Sequence, residues 1–324
     1  MLFFKKIKFE NLEETKVVRF ILFYAIISFI FGSISYLYNN NNGFYFLFKL
    51  LTHLEIAFII FDNSIYNKFY NKIYYLSILL IIIKWLIVKN ENIVFNSSRN
   101  TISIFLLFLW CIDLFYLFKN NLSMDYKKMI ITLILSLLAK GRSGILISVF
   151  FSFLIIAYTL LFKQNSSKLK TILVLIVLAI GISFSIELVD KYLENFDRWG
   201  METIRTEFWN KYINNTRDSL SDILFGSKLT RINMLSLYDY NLHNSFLMLH
   251  ANYGIIPFYF VVYVILRCIF YSITNNKFYV LLFSIILLSK GNIDYVIFHS
   301  YCDILFYLIL FEIKFNRGGR AKIE

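Results

Sequence analysis

The sequence predicts an all-α polytopic membrane protein with about ten transmembrane helices. Of its 324 residues, 58% are hydrophobic and 17% are charged, whereas an ordinary soluble domain carries about 25% charged residues. The mean hydropathy is +0.63, and the apolar residues are concentrated in repeated runs of membrane-spanning length. We therefore expect residues 1–324 to form a single membrane domain.

The apolar runs locate the expected spans. In chain order they are 17–38, 44–61, 73–88, 101–118, 129–139, 145–162, 171–189, 243–271, 278–289 and 296–315. The runs at 129–139 and 278–289 are shorter than a bilayer requires, so we expect tilted, broken or re-entrant helices there. The only long polar interruption is the segment 190–242, which predicts a large loop.

Lysine and arginine predict the orientation of the chain. One set of short loops and the two termini hold 19 of these residues, and the opposite short loops hold 5. Positive residues accumulate on the cytoplasmic side, so we expect both termini in the cytoplasm and the loop 190–242 outside it. The net charge of +12 would favour nucleic acid in a soluble protein. Here most of the charges lie between spans, so we expect membrane lipids as partners and no nucleic acid.

The loop contains one amphipathic stretch. Ile204, Phe208, Trp209 and Tyr212 recur at helical spacing. This pattern predicts a helix at 203–213 that lies on the membrane surface, with Trp209 and Tyr212 at the level of the lipid headgroups.

Arg142 is the first candidate functional residue. It lies in Gly141-Arg142-Ser143-Gly144, between two apolar runs on the expected outer face. A guanidinium in a glycine turn, beside free backbone N–H groups, suits a phosphate. The alternative is an arginine at a helix end that extends toward lipid headgroups.

Arg205 and His243 are the other two candidates. Arg205 opens the amphipathic helix that carries Trp209, although a loop arginine is often only solvated. His243 begins the eighth expected span, where an imidazole that titrates near physiological pH suits a general base. The alternative for His243 is a structural role at the interface.

Charged residues also occur inside apolar runs, at Glu55, Lys84 and Asp113. Buried charges in a membrane are candidates for function. We favour the alternative that they form structural pairs between helices, for instance Lys84 with Asp113 or with Glu55.

Several motifs are absent from the loop. It has no Asp-x-Asp for a metal–nucleotide sugar, no glycine-rich phosphate loop and no Gly-x-Ser-x-Gly. His243 and His250 are too far apart for a compact metal-binding pair. We therefore expect no metal and no cofactor, and we expect that any donor phosphate arrives on a lipid.

Three motifs in order resemble the bacterial O-antigen polymerase and ligase family, which includes many capsule polymerases. Gly141-Arg142-Ser143-Gly144 opens a span. Arg205 precedes Trp209 by four residues and leads to the glycine turn Ile223-Leu224-Phe225-Gly226. His243-Asn244 opens a further span and is followed by Tyr253-Gly254. The resemblance covers roughly residues 135 to 270, and it departs from the family pattern after Gly226, where Ser227 replaces a second glycine.

The resemblance implies a metal-independent membrane glycosyltransferase in the bacterial cytoplasmic (inner) membrane, with a GT-C-like helical architecture and a large extracytoplasmic loop. Such enzymes transfer a glycan from undecaprenyl pyrophosphate to an acceptor hydroxyl. By resemblance, Arg142 and Arg205 hold the pyrophosphate, and His243 deprotonates or orients the acceptor. The implied substrate-binding set adds four residues: Gly141, Ser143, Trp209 and Asn244. Implied protein partners are a flippase and a chain-length regulator.

Four functions remain open at this point. The leading one is a polymerase that joins lipid-linked oligosaccharide repeat units into O-antigen or capsule. The nearest variant is a ligase that transfers finished polymer to a lipid core. A transporter or flippase of lipid-linked sugars would use the charges Glu55, Lys84 and Asp113 within the membrane. A non-catalytic assembly scaffold predicts that Arg142 and His243 can be replaced without consequence.

Overall fold

The computed structural model describes residues 12–39, 46–61, 66–88, 99–139, 142–159, 204–298, 300 and 302–315. All regular structure in these residues is helical, which confirms the predicted all-α class. The chain divides into two compact units, one formed by residues 1–62 and 202–324 and the other by residues 63–201.

The structure describes twelve α-helices within these residues. In chain order they are α1 (Leu12–Asn39), α2 (Phe46–Phe61), α3 (Tyr66–Val88), α4 (Arg99–Lys119), α5 (Tyr126–Leu138), α6 (Arg142–Tyr158), α7 (Ile204–Arg217), α8 (Leu220–Phe225), α9 (Ser245–Tyr253), α10 (Ile255–Thr274), α11 (Phe278–Ile293) and α12 (Asp303–Phe315). Two 3₁₀ turns, Leu229–Arg231 and Asn233–Tyr238, connect α8 to α9.

Four of the described helices are long and apolar enough to cross a membrane. Their spanning windows are Leu22–Asn39, Tyr70–Ile87, Ile102–Lys119 and Ile255–Thr274, and shorter apolar helices cover Ser143–Tyr158 and Phe278–Ile293. These lengths and compositions are those of a helical membrane protein. The total of ten spans stays a prediction, and the expected span at 171–189 lies outside the described residues.

Two predicted spans have different boundaries in the structure. The run at 243–271 forms two helices, because Gly254 interrupts it with a φ of +77°. Only the second of these helices, α10, has the length of a span. The run at 296–315 becomes helical only at Asp303.

The unit of residues 63–201 is built around α4. This helix packs against α3, α5 and α6, and its Trp110 is fully buried with its ring 4.9 Å from that of Phe151. Gly144, in the first turn of α6, lies against α4 so closely that a Cβ there would be 2.2 Å from Cβ of Ser103. Helix packing therefore requires this glycine, in the manner of small residues at membrane helix contacts.

The same unit contains a buried ion pair. Nζ of Lys128 in α5 lies 2.7 Å from Oδ1 of Asp113 in α4, and Lys128 also donates to the side chain of Asn71. The hydroxyl of Tyr74 donates to the carbonyl of Lys128 at 3.0 Å. The predicted pairing of Asp113 with Lys84 is therefore wrong, because Lys128 is the partner of this carboxylate.

In the unit of residues 1–62 and 202–324, α12 occupies the centre. Its side chains from Asp303 to Ile313 are buried on every face, as expected for a helix that is apolar all round. Helices α1, α2, α10 and α11 pack against it.

The described part of the loop, 204–242, folds into its own apolar core. The core consists of Phe208, Tyr212, Leu229, Ile232, Leu235, Leu242, Met248 and Ala251. The predicted helix at 203–213 is confirmed as α7, but the headgroup position expected for Tyr212 is wrong, since this side chain is buried in that core. The apolar face of α7 contacts the loop itself because the 3₁₀ turns cover it.

The loop core is attached to the C-terminal end of α1. The hydroxyls of Tyr38 and Ser221 are 2.6 Å apart, the side-chain amide of Asn39 donates to the carbonyl of Gly226, and Oγ of Ser35 donates to the carbonyl of Ala251 at 3.2 Å. Because the spanning window of α1 ends at Asn39, the loop lies at the end of a span.

Candidate active site

The site is built at the C-terminal end of α11. The last carbonyls of a helix have no partner within the helix, and here side chains from elsewhere supply the donors. Nη1 of Arg205 donates to the carbonyl of Ile293 at 2.7 Å, and Nδ2 of Asn244 donates to the carbonyl of Asn292 at 3.1 Å. These bonds bring the N-terminal ends of α7 and α9 to the end of α11.

Asp294, the first residue after α11, is the common partner of three other side chains. Nη2 of Arg205 lies 3.3 Å from its Oδ1, and Nδ1 of His243 lies 4.0 Å from the same oxygen. Nζ of Lys290 donates to Oδ2 at 2.6 Å. We call these four residues the Asp294 cluster. Two of the three candidates from the sequence, Arg205 and His243, therefore meet at one carboxylate.

The Asp294 cluster has a buried and an open side. Lys290 and Asp294 are buried, while the side chains of Arg205 and His243 are 27% and 26% exposed. With a neutral imidazole, two cations and one carboxylate leave a formal charge of +1. The open side of the cluster therefore attracts anions, and a guanidinium is the side chain best suited to phosphate oxygens.

The imidazole of His243 is neutral at pH 7. Burial lowers its pKa below the ordinary value of 6.5, and the positive charge of Arg205 lowers it further, while Asp294 opposes both effects. Among the residues that the structure describes, none hydrogen-bonds to this ring. A neutral, half-open imidazole beside a cation can accept a proton from a hydroxyl that approaches it.

The backbone around His243 is held firmly. His243 itself has a φ of +52°, and its N–H donates to Oδ1 of Asn241 at 2.8 Å. Nε1 of Trp209 donates to the carbonyl of Leu242 at 2.7 Å. Trp209 therefore positions the residue before His243. The prediction that Trp209 contacts substrate is not tested by this geometry.

Asn244 and Ser245 connect α9 to the end of α11. Oδ1 of Asn244 caps α9 by accepting from the N–H groups of Phe246 and Leu247 at 2.9 and 3.0 Å. Both ends of the Asn244 amide are thus engaged within the protein, which favours a positioning role. Oγ of Ser245 donates to the carbonyl of Asp294 at 2.8 Å and accepts from the N–H of Val296 at 2.9 Å.

Two glycines allow the loop to approach α9 and α10. A Cβ on Gly226 (φ +86°) would lie 2.5 Å from the carbonyl oxygen of Ala251, and a Cβ on Gly254 (φ +77°) would lie 2.0 Å from that of Leu224. Only glycine fits both the backbone conformation and the space. The glycine turn and the Tyr253-Gly254 pair in the sequence therefore serve the same contact.

The candidates at the start of α6 belong to the other compact unit. Helix α6 begins at Arg142 and carries Ser143 in its first turn. Gly141 and the side chain of Arg142 lie outside the described residues. The participation of Gly141, Arg142 and Ser143 in substrate binding stays a prediction.

The sequence did not identify Asp294 and Lys290 as site residues. Their spacing of four residues at the end of an apolar run is a weak signal of a helical ion pair. What makes them part of a site is the approach of Arg205 and His243, which is a tertiary relationship that no local pattern reports. Among the described residues, no group of three or more His, Cys, Asp or Glu side chains could hold a metal ion.

Comparison of the chain with protein-family models, with curated proteins and with solved structures finds no significant match.

Proposed function

We propose that this chain is a membrane glycosyltransferase that joins undecaprenyl-pyrophosphate-linked oligosaccharide repeat units into a surface polysaccharide, O-antigen or capsule, at the outer face of a bacterial cytoplasmic membrane. The observation that carries the proposal is the convergence of Arg205 and His243 on Asp294. These two residues were singled out by separate motifs of one enzyme family, and in the structure they lie at one half-open, positively charged site.

The chemistry of such a transfer matches the groups present. An acceptor hydroxyl gives its proton to His243 while its oxygen forms a bond to the anomeric carbon of the donor sugar. The bond from that carbon to the pyrophosphate oxygen breaks, and lipid pyrophosphate departs with the electron pair. Arg205 is placed to stabilise this negative charge as it develops, because charge-assisted hydrogen bonds from a guanidinium to phosphate oxygens are stronger than neutral ones.

Asp294 has a positioning role in this proposal. It holds the guanidinium of Arg205 from one side, so that the remaining donors face the substrate in a fixed direction. Its charge also stabilises the imidazolium that forms when His243 accepts the proton, consistent with its upward effect on the pKa of that residue. The positive charge of Lys290 compensates the negative charge of Asp294 on the buried side of the cluster.

The helical membrane character supports lipid-linked substrates. The loop that supplies Arg205 and His243 is bonded to the end of the span at Asn39, so the cluster lies near a membrane boundary. Two substrates held in the same lipid layer meet at a high effective concentration. By resemblance, Arg142 provides a second cation for the pyrophosphate.

The buried pair of Asp113 and Lys128 weakens the transporter alternative. A transporter of lipid-linked sugars would use charges inside the membrane to hold its cargo. The charge at Asp113 is instead compensated by a lysine at 2.7 Å. A charge that is already paired is less able to hold a cargo.

The test is a deletion of this chain in its source cells, followed by complementation and electrophoresis of the surface glycan. We expect single-repeat glycan in the deletion, and a full polymer ladder with the wild type. We expect His243→Ala, Arg205→Ala and Arg142→Ala to give single repeats at normal protein levels. Lys211→Ala is the matched control, since it removes an exposed cation from the same helix as Arg205.

The outcomes separate the alternatives. Long polymer that is not linked to a lipid core in the deletion would indicate a ligase. An unchanged ladder with both His243→Ala and Arg142→Ala would contradict the proposed chemistry and favour a scaffold.

A further inference from the structure

Tyr238 places an exposed aromatic ring next to His243. The two ring centroids are 5.9 Å apart with planes at 82°, so the ring of one side chain meets the other edge to face. The ring of Phe208 lies 5.3 Å from that of Tyr238 and belongs to the loop core. Tyr238 is 38% exposed. The ring of Tyr238 therefore packs against the loop core through Phe208 and is partly exposed to solvent, directly beside the candidate base.

The turn that joins Tyr238 to His243 has an unusual backbone. Asp239, Tyr240 and His243 have φ values of +50°, +56° and +52°, in the left-handed region that side chains other than glycine rarely adopt. Two hydrogen bonds hold the turn, from the N–H of Tyr240 to the carbonyl of Leu235 and from the N–H of Asn241 to the carbonyl of Tyr238, both at 2.9 Å. Such conformations persist where the surrounding structure enforces them, and they are concentrated at binding sites.

We propose that the exposed ring of Tyr238 is the stacking surface for the terminal sugar of the acceptor glycan; this inference rests on the proposed function. A pyranose ring presents C–H groups on its faces and hydroxyls on its edge. The C–H groups pack on the electron-rich face of an aromatic ring. A hydroxyl on the edge of a sugar so placed lies toward His243.

The side chain of Asp239 suits the hydroxyls of a sugar. It is exposed, and its oxygens accept hydrogen bonds from hydroxyls. A lipid tail could not use this carboxylate. The ring at 238 thus defines a subsite for the acceptor, whereas Arg205 addresses the donor phosphate.

The chain offers a matched control for this subsite. Tyr240 is 40% exposed and lies two residues away in the same turn, but among the described residues it makes no ring contact with His243. Replacement of either tyrosine by alanine removes a similar exposed side chain. Only the change at Tyr238 is expected to affect acceptor binding.

The experiment uses the full-length protein in proteoliposomes. The probe is the oligosaccharide released by mild acid from the lipid-linked repeats of the deletion cells. Binding of this lipid-free glycan is measured by saturation-transfer NMR, with each tyrosine variant made in the inactive His243→Ala protein. KM and kcat for the lipid-linked acceptor come from initial rates, with each tyrosine variant made in the protein that retains His243.

We expect Tyr238→Ala to weaken the saturation transfer and to raise KM about fivefold to tenfold, the loss of one aromatic contact, with kcat nearly unchanged. Tyr238→Trp and Tyr240→Ala should both retain binding and KM. An unchanged KM in Tyr238→Ala, with polymer still formed, would overturn the subsite and leave the proposed function intact. If wild-type protein forms no polymer, the proposed function fails, and the subsite then stands or falls on whether saturation transfer to the glycan depends on Tyr238.

Discussion

The guanidinium of Arg205 holds the end of α11 with two contacts, a hydrogen bond of 2.7 Å from Nη1 to the carbonyl of Ile293 and an ion pair of 3.3 Å from Nη2 to Asp294. Arg205 thus does two things at once. It completes the hydrogen bonding of a helix end, and it is held by a carboxylate with its other edge open. A lysine could not reproduce this planar, two-point arrangement.

The pKa of His243 should respond to its two charged neighbours in opposite directions. Arg205 disfavours the imidazolium and Asp294 favours it. Arg205→Gln should therefore raise the pKa, and Asp294→Asn should lower it. The measurement is the titration of labelled histidine ring signals by NMR; the chain has 4 histidines, and His243→Gln identifies the signal.

The same signs apply to the pH dependence of activity. Activity requires a neutral His243, so it falls as the pH decreases through the pKa of this residue. In Asp294→Asn the remaining activity should persist to lower pH than in the wild type. Movement of this acid limb to higher pH would contradict the assignment of His243 as the base.

Tyr212 and His250 form a buried hydrogen bond whose direction can be derived. Burial lowers the pKa of His250, so the ring is neutral. Its Nε2 lies 2.9 Å from the carbonyl of Ile223, which can only accept, so Nε2 carries the proton. Nδ1 must then accept from the hydroxyl of Tyr212 at 2.7 Å.

Tyr212→Phe removes the hydroxyl that donates to His250 and leaves the buried Nδ1 of this histidine without a hydrogen-bond donor. We expect a loss of about 1–2 kcal/mol in the free energy of unfolding, seen as a lower thermal midpoint of the purified protein. Tyr240→Phe, at an exposed position, is the control. Equal midpoints for the two variants would show that the bond does not stabilise the loop.

Gly254 and Gly291 should tolerate alanine very differently. At Gly254 the new Cβ would lie 2.0 Å from a backbone oxygen, on a residue with positive φ. At Gly291 the nearest atom is Cδ1 of the Ile297 side chain at 2.7 Å, which can move. Gly254→Ala should therefore reduce the yield of folded protein in size-exclusion chromatography, while Gly291→Ala should be close to wild type. Similar yields for the two variants would argue against the close approach of Leu224 to Gly254.

The ion pair of Asp113 and Lys128 should show strong coupling. Lys128→Met leaves a buried carboxylate without its cation, at a cost of about 3–5 kcal/mol. Asp113→Leu combined with Lys128→Met removes both charges and should recover most of that loss. A double-mutant cycle on thermal stability measures the coupling. If the two single changes simply add in the double variant, the pair does not contribute as a unit.

The sequence predicted the helical elements well where length and periodicity carry the signal. The spans within α1, α3, α4 and α10 and the amphipathic helix α7 were all expected. The prediction from sequence failed where tertiary packing determines which face of a helix is buried. Tyr212 has the spacing of a residue on a membrane surface, and only the packing of Leu229, Ile232 and Leu235 against it makes it a core residue.

The sequence pointed to two of the four residues of the Asp294 cluster. Arg205 and His243 could be singled out because each lies in a local motif, and their role in catalysis stays a prediction. Asp294 and Lys290 could not, because their role depends on contacts between segments that are distant in the chain. The partner of Asp113 was misassigned for the same reason. The sequence alone does not distinguish Lys84 from Lys128 as this partner, and only the packing of α5 against α4 selects Lys128.

The most direct test of the central claim is polymerisation by purified protein in proteoliposomes, supplied with lipid-linked repeats from the deletion cells. We expect a ladder of polymer with the wild type and with Lys211→Ala. We expect rates at least about a hundredfold lower with His243→Ala and with Asp294→Asn. Folded wild-type protein that forms no polymer, or a His243→Ala protein that forms it at the wild-type rate, would contradict the claim that the Asp294 cluster carries out this reaction.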